Sequence, residues 1–418
     1  MFSKSAILQA FSSHQASLNG SAQSAFNSIQ KKAMEGLENL HFPDTKQENW
    51  RYTSLRSLQN EPFPTVEYAL SPKDLPQIPD LDAYYVVLKD GALVPELSEL
   101  PSQHGLTIQS IKQAQNTEAF KQHFAKYSSK TDYFAVMNTA MAQQGIFIHL
   151  ADNLVLEKPI YILHISANAH HTRNLIVVER NSQLTVVEDF FQHGAHTSFN
   201  NLITEVFVGK NANLTHYKLQ TNLKESYHVG TTEIHQEADS NFTSFSFGWS
   251  GAMVRNNLNA TQGGKNCLTN FYGVYAPTKK QRIDNQTFIH HFSPNCQSNE
   301  IYKGLIDDEA KAVFNGKILV AKDAQKINAY QSNKNILLSE QATIYAKPQL
   351  EIFADDVKCS HGATVGQLDK TQLFYLQSRG IDKAAAQGLL LTAFVAELID
   401  LCAQDAIKHH LYQSFSQR

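Results

Sequence analysis

Cysteine is scarce in this chain of 418 residues, and no two cysteines form a C-x-x-C pair. So few thiols, so widely spaced, exclude a disulfide scaffold, and the missing C-x-x-C pattern argues against a closed zinc site or a dithiol redox motif. We therefore expect a reducing compartment. The four cysteines are Cys267, Cys296, Cys359 and Cys402.

Excess charge of one sign is also missing, since 36 Lys and Arg stand against 39 Asp and Glu, for a formal net charge of -3. Without a dense basic run, the chain lacks the electrostatic footprint of a nucleic-acid-binding protein. No apolar run approaches the roughly 20 residues that span a bilayer, and the N-terminus lacks the features of a secretory signal. We expect a cytoplasmic protein with no nucleic-acid partner and no membrane association.

Acidic residues are absent from residues 1–34, which are rich in serine and contain three lysines. This composition raises the alternative of an organelle transit peptide. The absence of arginine before Arg51 argues against it, and the apolar residues instead fit one face of an amphipathic helix. Those residues are Ile7, Leu8, Phe11 and Leu18.

A nucleotide-binding loop is missing too. The G-G-K-N segment at Gly263 would need glycine in place of Asn259 and serine or threonine in place of Asn266 to match a phosphate loop. Several neighbouring histidines lack the carboxylate or cysteine company of a metal site, so we expect them to be packed or solvated. They are His290 with His291, His193 with His196, and His409 with His410.

Three regions emerge from what is present: a helical or mixed region over 1–142, a β-rich core over 143–366 and a helical region over 367–418. In the first, apolar residues recur at helical spacing from about residue 5 to 60. The proline-bearing stretch 61–79 predicts an extended linker. A strand is expected over Tyr84 to Leu88, and further helical or mixed structure over 107–142.

The core alternates short β-branched and aromatic strands with polar turns. The turn centres are separated by 28, 30, 29, 25, 30 and 29 residues, and an apolar-Thr step follows several of them, for example Leu184-Thr185, Leu214-Thr215, Phe242-Thr243 and Leu268-Thr269. Such a period predicts the stacked coils of a parallel β-helix and disfavours a β-sandwich, whose turns recur every 8 to 12 residues. The predicted centres are Asn153, Asn181, Asn211, Ser240, Lys265, Asn295 and Ala324.

Two helices are expected after the core. Asp369 is the predicted N-cap of the first, Arg379-Gly380 its stop, and Asp382 the N-cap of the second. Apolar residues cover much of the circumference of the second helix, which fits either docking of a partner or simple packing on the core.

Cys359 and His361 are the candidate site residues, because they stand two apart in a segment that reads as extended. Side chains alternate along a strand, so both would point to the same face. Thiolate and imidazole suit iron, zinc and copper, but two ligands do not complete a site. Additional ligands would have to come from elsewhere, and another chain is one source.

Three separated segments resemble the SufB/SufD family of the SUF iron–sulfur cluster assembly machinery. They are E-N-W-R-Y-T-S-L from Glu48 to Leu55, C-S-H-G-A-T-V-G from Cys359 to Gly366, and Q-L-F-Y-L-Q-S-R-G-I from Gln372 to Ile381. The resemblance runs from about residue 20 to the end. It implies a right-handed parallel β-helix flanked by N- and C-terminal helical regions.

The resemblance also implies a non-enzymatic scaffold subunit that pairs with a SufB-like paralogue through the ends of the β-helices. Its C-terminal helices would dock a SufC-type ABC ATPase, and self-association in isolation stays open. Cys359 and His361 would then be shared ligands for incoming iron or a transient iron–sulfur cluster at the junction, with no nucleotide bound by this chain.

Three alternatives remain. A sulfur-accepting SufB-type subunit would be longer and richer in cysteine, and would read more like C-x-H-E-A at the site segment, whereas Gly362-Ala363 stands here. A β-helical enzyme acting on polysaccharides would need an export signal and a carboxylate or basic cluster. A passive β-helical adhesin would not need apolar C-terminal helices.

Overall fold

The computed structural model describes residues 7–9, 11, 12 and 25–418, and strands make up most of this part of the chain. Leu18, and most of the serine-rich start considered as a transit peptide, lie outside it. The strands are β1 (Tyr84–Lys89), β2 (Ala92–Leu93), β3 (Leu106–Ser110), β4 (Ile146–Leu150), β5 (Ile160–Ser166), β6 (Ala169–Val178), β7 (Gln183–Gln192), β8 (Phe199–Val208), β9 (Asn213–Asn222), β10 (Tyr227–Gln236), β11 (Asn241–Gly248), β12 (Met253–Gln262), β13 (Leu268–Tyr275), β14 (Arg282–His291), β15 (Gln297–Ile306), β16 (Lys311–Val320), β17 (Ile327–Leu337), β18 (Thr343–Ile352) and β19 (Val357–Gly366).

Two long sheets face each other across a closed interior. From β4 onward the chain alternates between them, so that odd strands form one sheet in the order β19-β17-β15-β13-β11-β9-β7-β5-β1-β2, and even strands form the other in the order β18-β16-β14-β12-β10-β8-β6-β4-β3. Consecutive strands within each sheet are parallel from β4 and β5 to β18 and β19. This topology confirms the predicted parallel β-helix and excludes the sandwich.

Left-handed residues mark one corner of each coil. Asn153, Asn181, Asn211 and Asn295 all have φ between 57° and 61°, a conformation that asparagine tolerates better than other non-glycine residues. Asn181 Nδ2 donates to Asn153 Oδ1 at 2.7 Å, and Asn211 Nδ2 donates to Asn181 Oδ1 at 3.0 Å. Asp239, Asn266 and Lys326 continue the series, so every predicted turn centre lies within two residues of a left-handed residue.

One alignment within the predicted repeat is wrong. Leu184, Leu214 and Phe242 do stack in register on successive coils. The next member of that column is Thr269, because Phe242 pairs with Thr269 and Leu268 pairs with Asn241. The 25-residue interval expected between the turns is in fact 27 residues, from Asp239 to Asn266, and this difference moves Leu268 out of the column.

Helices cover the outer faces of both sheets. The even sheet is covered near its start by the N-terminal region, whose residues Leu58, Phe134 and Met137 form an apolar cluster with Phe199 and Met253. The odd sheet is covered by the C-terminal helices, as described below. The helices are α1 (Ala25–Leu37), α2 (Arg56–Asn60), α3 (Ile111–Ala114), α4 (Glu118–His123), α5 (Tyr133–Met141), α6 (Lys370–Ser378), α7 (Lys383–Ile399) and α8 (Asp405–Ser416).

A buried ion pair fastens the N-terminal region to the even sheet. Arg173 of β6 contacts Glu205 of β8 at 2.9 Å, and both side chains are almost completely buried. Glu205 also accepts the backbone N–H groups of Ala125, Tyr127 and Ser128 at 2.7 to 3.1 Å. The charges are therefore compensated by several hydrogen bonds, as a buried pair requires.

The C-terminal helices begin and end at the predicted residues. The Asp369 carboxylate accepts from the backbone of Thr371 at 2.8 Å, and Asp382 accepts from Ala385 at 3.0 Å. Gly380 stops α6 with a φ of 88°. The second half of α7 and all of α8 pack on the odd sheet through Val395, Leu398, Ile399, Ile407, Leu411 and Phe415.

The two ends of the β-helix differ. At the first end, β2 and β3 run antiparallel to β1 and β4, and β5 is buried along its whole length. At the second end, most of β19 is exposed and β18 is at best half-buried. Each of these last strands is paired on one side only, β19 with β17 and β18 with β16. The second end is therefore an uncovered sheet edge, which we call the open end.

Candidate functional site

The open end carries both predicted site residues. Cys359 and His361 lie on β19, where Cys359 is partly buried and His361 is exposed. Cys359 pairs in register with Ala329 of β17, and His361 pairs with Gln331. Ala329 and Gln331 are both buried in the interior, so Cys359 and His361 stand at inward positions of the last coil. The pair is thus placed at the mouth of the interior and is not sealed within it.

The environment of Cys359 favours a protonated thiol in the isolated chain. Burial raises the pKa of Cys359, and the backbone of Ala329 opposes this shift. A metal ion binds the thiolate and displaces the proton, so affinity for a metal would rise with pH.

Two polar residues lie directly behind His361 along the same inward column. Gln331 pairs in register with Glu300 of β15, and its Nε2 donates to Glu300 Oε2 at 2.6 Å. Both side chains are fully buried. Burial raises the pKa of Glu300 to about 7, although the hydrogen bond from Gln331 opposes the shift. A carboxyl group that is half-protonated near neutral pH therefore lies two coils inside the mouth.

Cys359 and His361 do not form a complete metal site within this chain. Across the described residues, no group of three or more histidine, cysteine, aspartate or glutamate side chains is arranged to hold a metal ion. Thiolate and imidazole can supply two ligands to iron, while tetrahedral coordination needs four. Chemically, the arrangement is a half-site on an exposed edge.

A second polar cluster lies deep in the interior and was not predicted from the sequence. Glu188 accepts from His216 Nε2 at 2.8 Å and faces His164 Nε2 at 3.1 Å, with all three side chains at least 98% buried. Burial alone would raise the pKa of Glu188, but the hydrogen bonds from the two imidazoles outweigh it and hold this pKa well below its usual range. Three ionisable residues inside otherwise apolar strands were the available signal.

Lys218 extends this interior cluster into a small cavity. The cavity is lined by Lys218, His216, Ser244, Asn256 and other polar side chains. Burial lowers the pKa of Lys218, and the Glu188 carboxylate opposes this shift. Burial and Lys218 together lower the pKa of the neighbouring His228 well below its usual range. The middle of the β-helix is therefore polar as well as apolar.

The first signature segment, from Glu48 to Leu55, clamps the N-terminal region onto the coils. Trp50 is buried beneath the guanidinium of Arg255, 3.8 Å from the ring centre, and Arg255 Nη1 donates to Asp284 Oδ2 at 2.6 Å. The hydroxyl of Thr53 donates to the same Asp284 oxygen at 2.5 Å. These contacts explain the segment structurally.

The same segment reaches the open end. Lys347 of β18 contacts Glu48 Oε1 at 2.6 Å, and Tyr345 stacks on Tyr52 with ring centres 4.4 Å apart. The N-terminal region therefore contacts one of the two edge strands.

The third signature segment forms α6, which leaves aromatic side chains uncovered. No residue of α6 is buried, and Phe374 is 71% exposed. Leu389, in the first half of α7, is also exposed. An apolar surface therefore continues from α6 to α7, beside the half of α7 that packs on the β-helix.

The remaining predictions on histidine and cysteine concern the body of the β-helix. His291 is buried and contacts Ser298 Oγ at 3.0 Å, as expected of a packed histidine. Cys267 and Cys296 are buried on neighbouring coils, as their 29-residue spacing predicted. No helix of the described residues is both long enough and apolar enough to span a bilayer.

Comparison with known proteins agrees with this architecture. The family description "SufBD protein N-terminal region" matches residues 1–162, and "SUF system FeS cluster assembly, SufBD core domain" matches residues 161–394. The iron-sulfur cluster assembly protein SufD of Escherichia coli is 31% identical over 393 residues, covering 92% of this chain and 91% of the relative.

Two further relatives extend the comparison. An iron-sulfur cluster assembly SufBD family protein of Synechocystis is 31% identical over 425 residues, covering 97% of this chain and 93% of the relative. The iron-sulfur cluster assembly protein SufD of Bacillus subtilis is 28% identical over 407 residues, covering 92% and 91%. With its parallel β-helix, its edge-strand Cys359 and His361 and these similarities, the chain belongs to the SufBD family of iron–sulfur cluster assembly proteins.

Proposed function

We propose that this chain is a non-enzymatic scaffold subunit that pairs with a SufB-like paralogue through its open end. Cys359 and His361 would contribute ligands for incoming iron or a nascent cluster, which is the cargo of the assembly. The observation that carries this proposal is the position of both residues on β19, an edge strand that this chain leaves uncovered.

Pairing through β19 is supported by the chemistry of its edge. A strand paired on one side has unpaired N–H and C=O groups on the other, and these groups attract a further strand. Apolar side chains are exposed beside them, including Ile352, Phe353 and Val365. A partner strand added here would bring its own side chains next to Cys359 and His361.

Ligand sharing follows from the incomplete coordination. A thiolate and a neutral imidazole suit ferrous iron and cluster irons, but the remaining positions need other donors. A partner that closes the mouth would supply them and exclude water. The role of this chain would then be to hold cargo rather than to transform a substrate.

An ABC ATPase of the SufC type is the second proposed partner. Its docking surface would be the apolar surface of α6 and the first half of α7, which includes the exposed Phe374 and Leu389. ATP hydrolysis would belong to that partner, because the G-G-K-N segment of this chain lacks the residues of a phosphate loop.

The division into regions 1–142, 143–366 and 367–418 assigns one role to each part. The first region would cap the β-helix, the second would carry the site, and the third would bind the ATPase. We place the assembled complex in the cytoplasm.

Replacement of His361 tests the ligand role. In the co-expressed complex with the SufB-like and SufC-type partners, His361→Ala should leave assembly intact and lower bound iron and acid-labile sulfide by about tenfold, the scale expected when coordination is impaired. His290→Ala is the matched control, since His290 lies on β14 away from the open end. Full iron and sulfide loading of the His361→Ala complex would contradict the proposal.

A further inference from the structure

Two buried thiols face each other at one corner of the β-helix, far along the chain from Cys359. Cys267 immediately precedes β13 and Cys296 immediately precedes β15, and the next residues, Leu268 and Gln297, pair in register. Paired strands are about 4.8 Å apart. This separation lies within the range of about 4.4 to 6.8 Å between Cα atoms that a disulfide spans.

The sulfur atoms have close polar contacts. The backbone N–H of Cys267 donates to Cys296 Sγ at 3.4 Å. Cys267 Sγ lies 3.1 Å from the carbonyl oxygens of Glu237 and Gly264, and Cys296 Sγ lies 3.4 Å from the same Gly264 oxygen. Both cysteines are free and at most 1% exposed. The two thiols thus share one small polar corner.

This arrangement makes the two thiols unequal. Contact with the Cys296 thiol lowers the pKa of Cys267, whereas the same contact and burial raise the pKa of Cys296. Cys267 is therefore the better nucleophile, and Cys296 holds the shared proton. Cys402 provides a contrast, because it is buried without a neighbouring thiol and burial raises its pKa to about 12.

Packing does not require sulfur at these positions. The same corner position is occupied by Ala212 and Ser240 on the two preceding coils and by Ile327 on the following one. Residues of very different size and polarity are accommodated there. Two adjacent thiols therefore add a chemical property that the neighbouring coils do not have.

We propose that Cys267 and Cys296 form a site of reversible oxidation that closes to a disulfide between adjacent coils, with a small hydroperoxide as the oxidant. Cys267 sulfur attacks the peroxide oxygen, the O–O bond breaks, and a sulfenic acid forms at Cys267 as the alcohol or water leaves. Cys296 sulfur then attacks the sulfenic sulfur and displaces hydroxide, which takes the thiol proton and leaves as water. Two thiols and one hydroperoxide thus yield one disulfide, one alcohol or water, and one water.

Burial selects the oxidant. A compact hydroperoxide can reach the corner through local opening of the turns at Lys265 and Asn295, which are exposed. Exchange with a bulky disulfide such as glutathione disulfide would need both sulfurs to reach a surface. The closed form would be reopened by a dithiol reductant after the same local opening.

Peptide mapping of the full chain tests this inference. The reduced protein is treated with hydrogen peroxide, denatured, alkylated and digested. We expect a linked peptide containing Cys267 and Cys296, about 2 Da lighter than the two thiol peptides together, because two hydrogens are lost. Cys402 should remain free for alkylation. An equal concentration of glutathione disulfide should not produce the linked peptide in the native protein.

Single variants test the order of the two steps. In Cys296→Ser, peroxide should leave Cys267 as a sulfenic acid that dimedone traps, whereas in Cys267→Ser, Cys296 should stay unmodified. The proposal is overturned if peroxide leaves both thiols of the wild-type chain free, or if glutathione disulfide closes the bridge as readily. The wild-type measurement decides the matter even if a variant does not fold.

Discussion

The two ends of the β-helix solve the problem of an exposed sheet edge in opposite ways. At the first end, antiparallel strands stop the stacking of coils, and the N-terminal region covers the even sheet nearby through the Arg173–Glu205 pair. At the open end, β19 displays Cys359 and His361 on an edge without cover. Proteins normally protect exposed edges because these promote association. An edge left free beside two metal-binding side chains therefore indicates an interface.

The covered end should be the more sensitive to mutation. Arg173→Ala leaves the buried Glu205 without its cation and removes hydrogen bonds to Ser128 and Thr139. We expect the free energy of unfolding to fall by about 3 to 5 kcal/mol, as measured by chemical denaturation. Arg180→Ala is the matched control, since its pair with Asp152 is exposed and should cost at most about 1 kcal/mol. Equal losses in the two variants would contradict the comparison.

The interior behind the open end should respond to pH. The pKa of Glu300 is raised to about 7 in the folded chain, so this carboxyl destabilises the fold as pH rises from its unfolded value of about 4.3 through 7. Glu300→Gln cannot ionise, and should gain about 3 kcal/mol of stability over wild type between pH 5 and pH 8. Denaturation midpoints across this range provide the measurement, and parallel wild-type and variant curves would refute the expectation.

The open end itself should tolerate a charge in the isolated chain but not in the complex. Phe353→Asp should change the free energy of unfolding by about 0.5 kcal/mol or less, since the side chain is 63% exposed. Affinity for a SufB-like partner should fall about 30-fold or more, the loss typical of an interface hot spot. Phe292→Asp, at a similarly exposed aromatic on the flank, should bind normally. Unchanged affinity of Phe353→Asp would sink this interface.

The α6 surface should behave in the same way toward a different partner. Phe374→Asp should leave stability of the isolated chain almost unchanged, because α6 buries no side chain. Co-purification with a SufC-type ATPase should be lost while pairing with the SufB-like subunit persists. Val155→Asp, an exposed apolar position in the turn before β5, serves as the control. Retention of the ATPase by Phe374→Asp would exclude α6 from the docking surface.

Local sequence features predicted the parts of this fold that depend on local geometry. Asparagine marks the left-handed corners, and Asp369 and Asp382 cap their helices, because these residues satisfy backbone demands within a few positions. The register of Leu268 was mispredicted because coil length varies by several residues, and only strand pairing reveals which residue enters a column.

The candidate site was predictable only in part, for the same reason. Alternation along one strand predicts that Cys359 and His361 share a face. Gln331 and Glu300 lie 30 and 61 residues before His361, so their position behind it depends on the lengths of two complete coils. His164, Glu188 and His216 likewise meet only through stacking. Buried ionisable residues within apolar strands would have been the signal.

Pro348 in the middle of β18 has a consequence for how a second subunit would add to this protein. Proline has no N–H to donate, so β18 cannot offer an unbroken series of donors to an incoming strand. β19 contains no proline and keeps its donors along its whole length. A newcomer that zips onto β19 would be aligned by the very backbone that carries the thiol and the imidazole. Docking and construction of the metal-binding centre would then be one event.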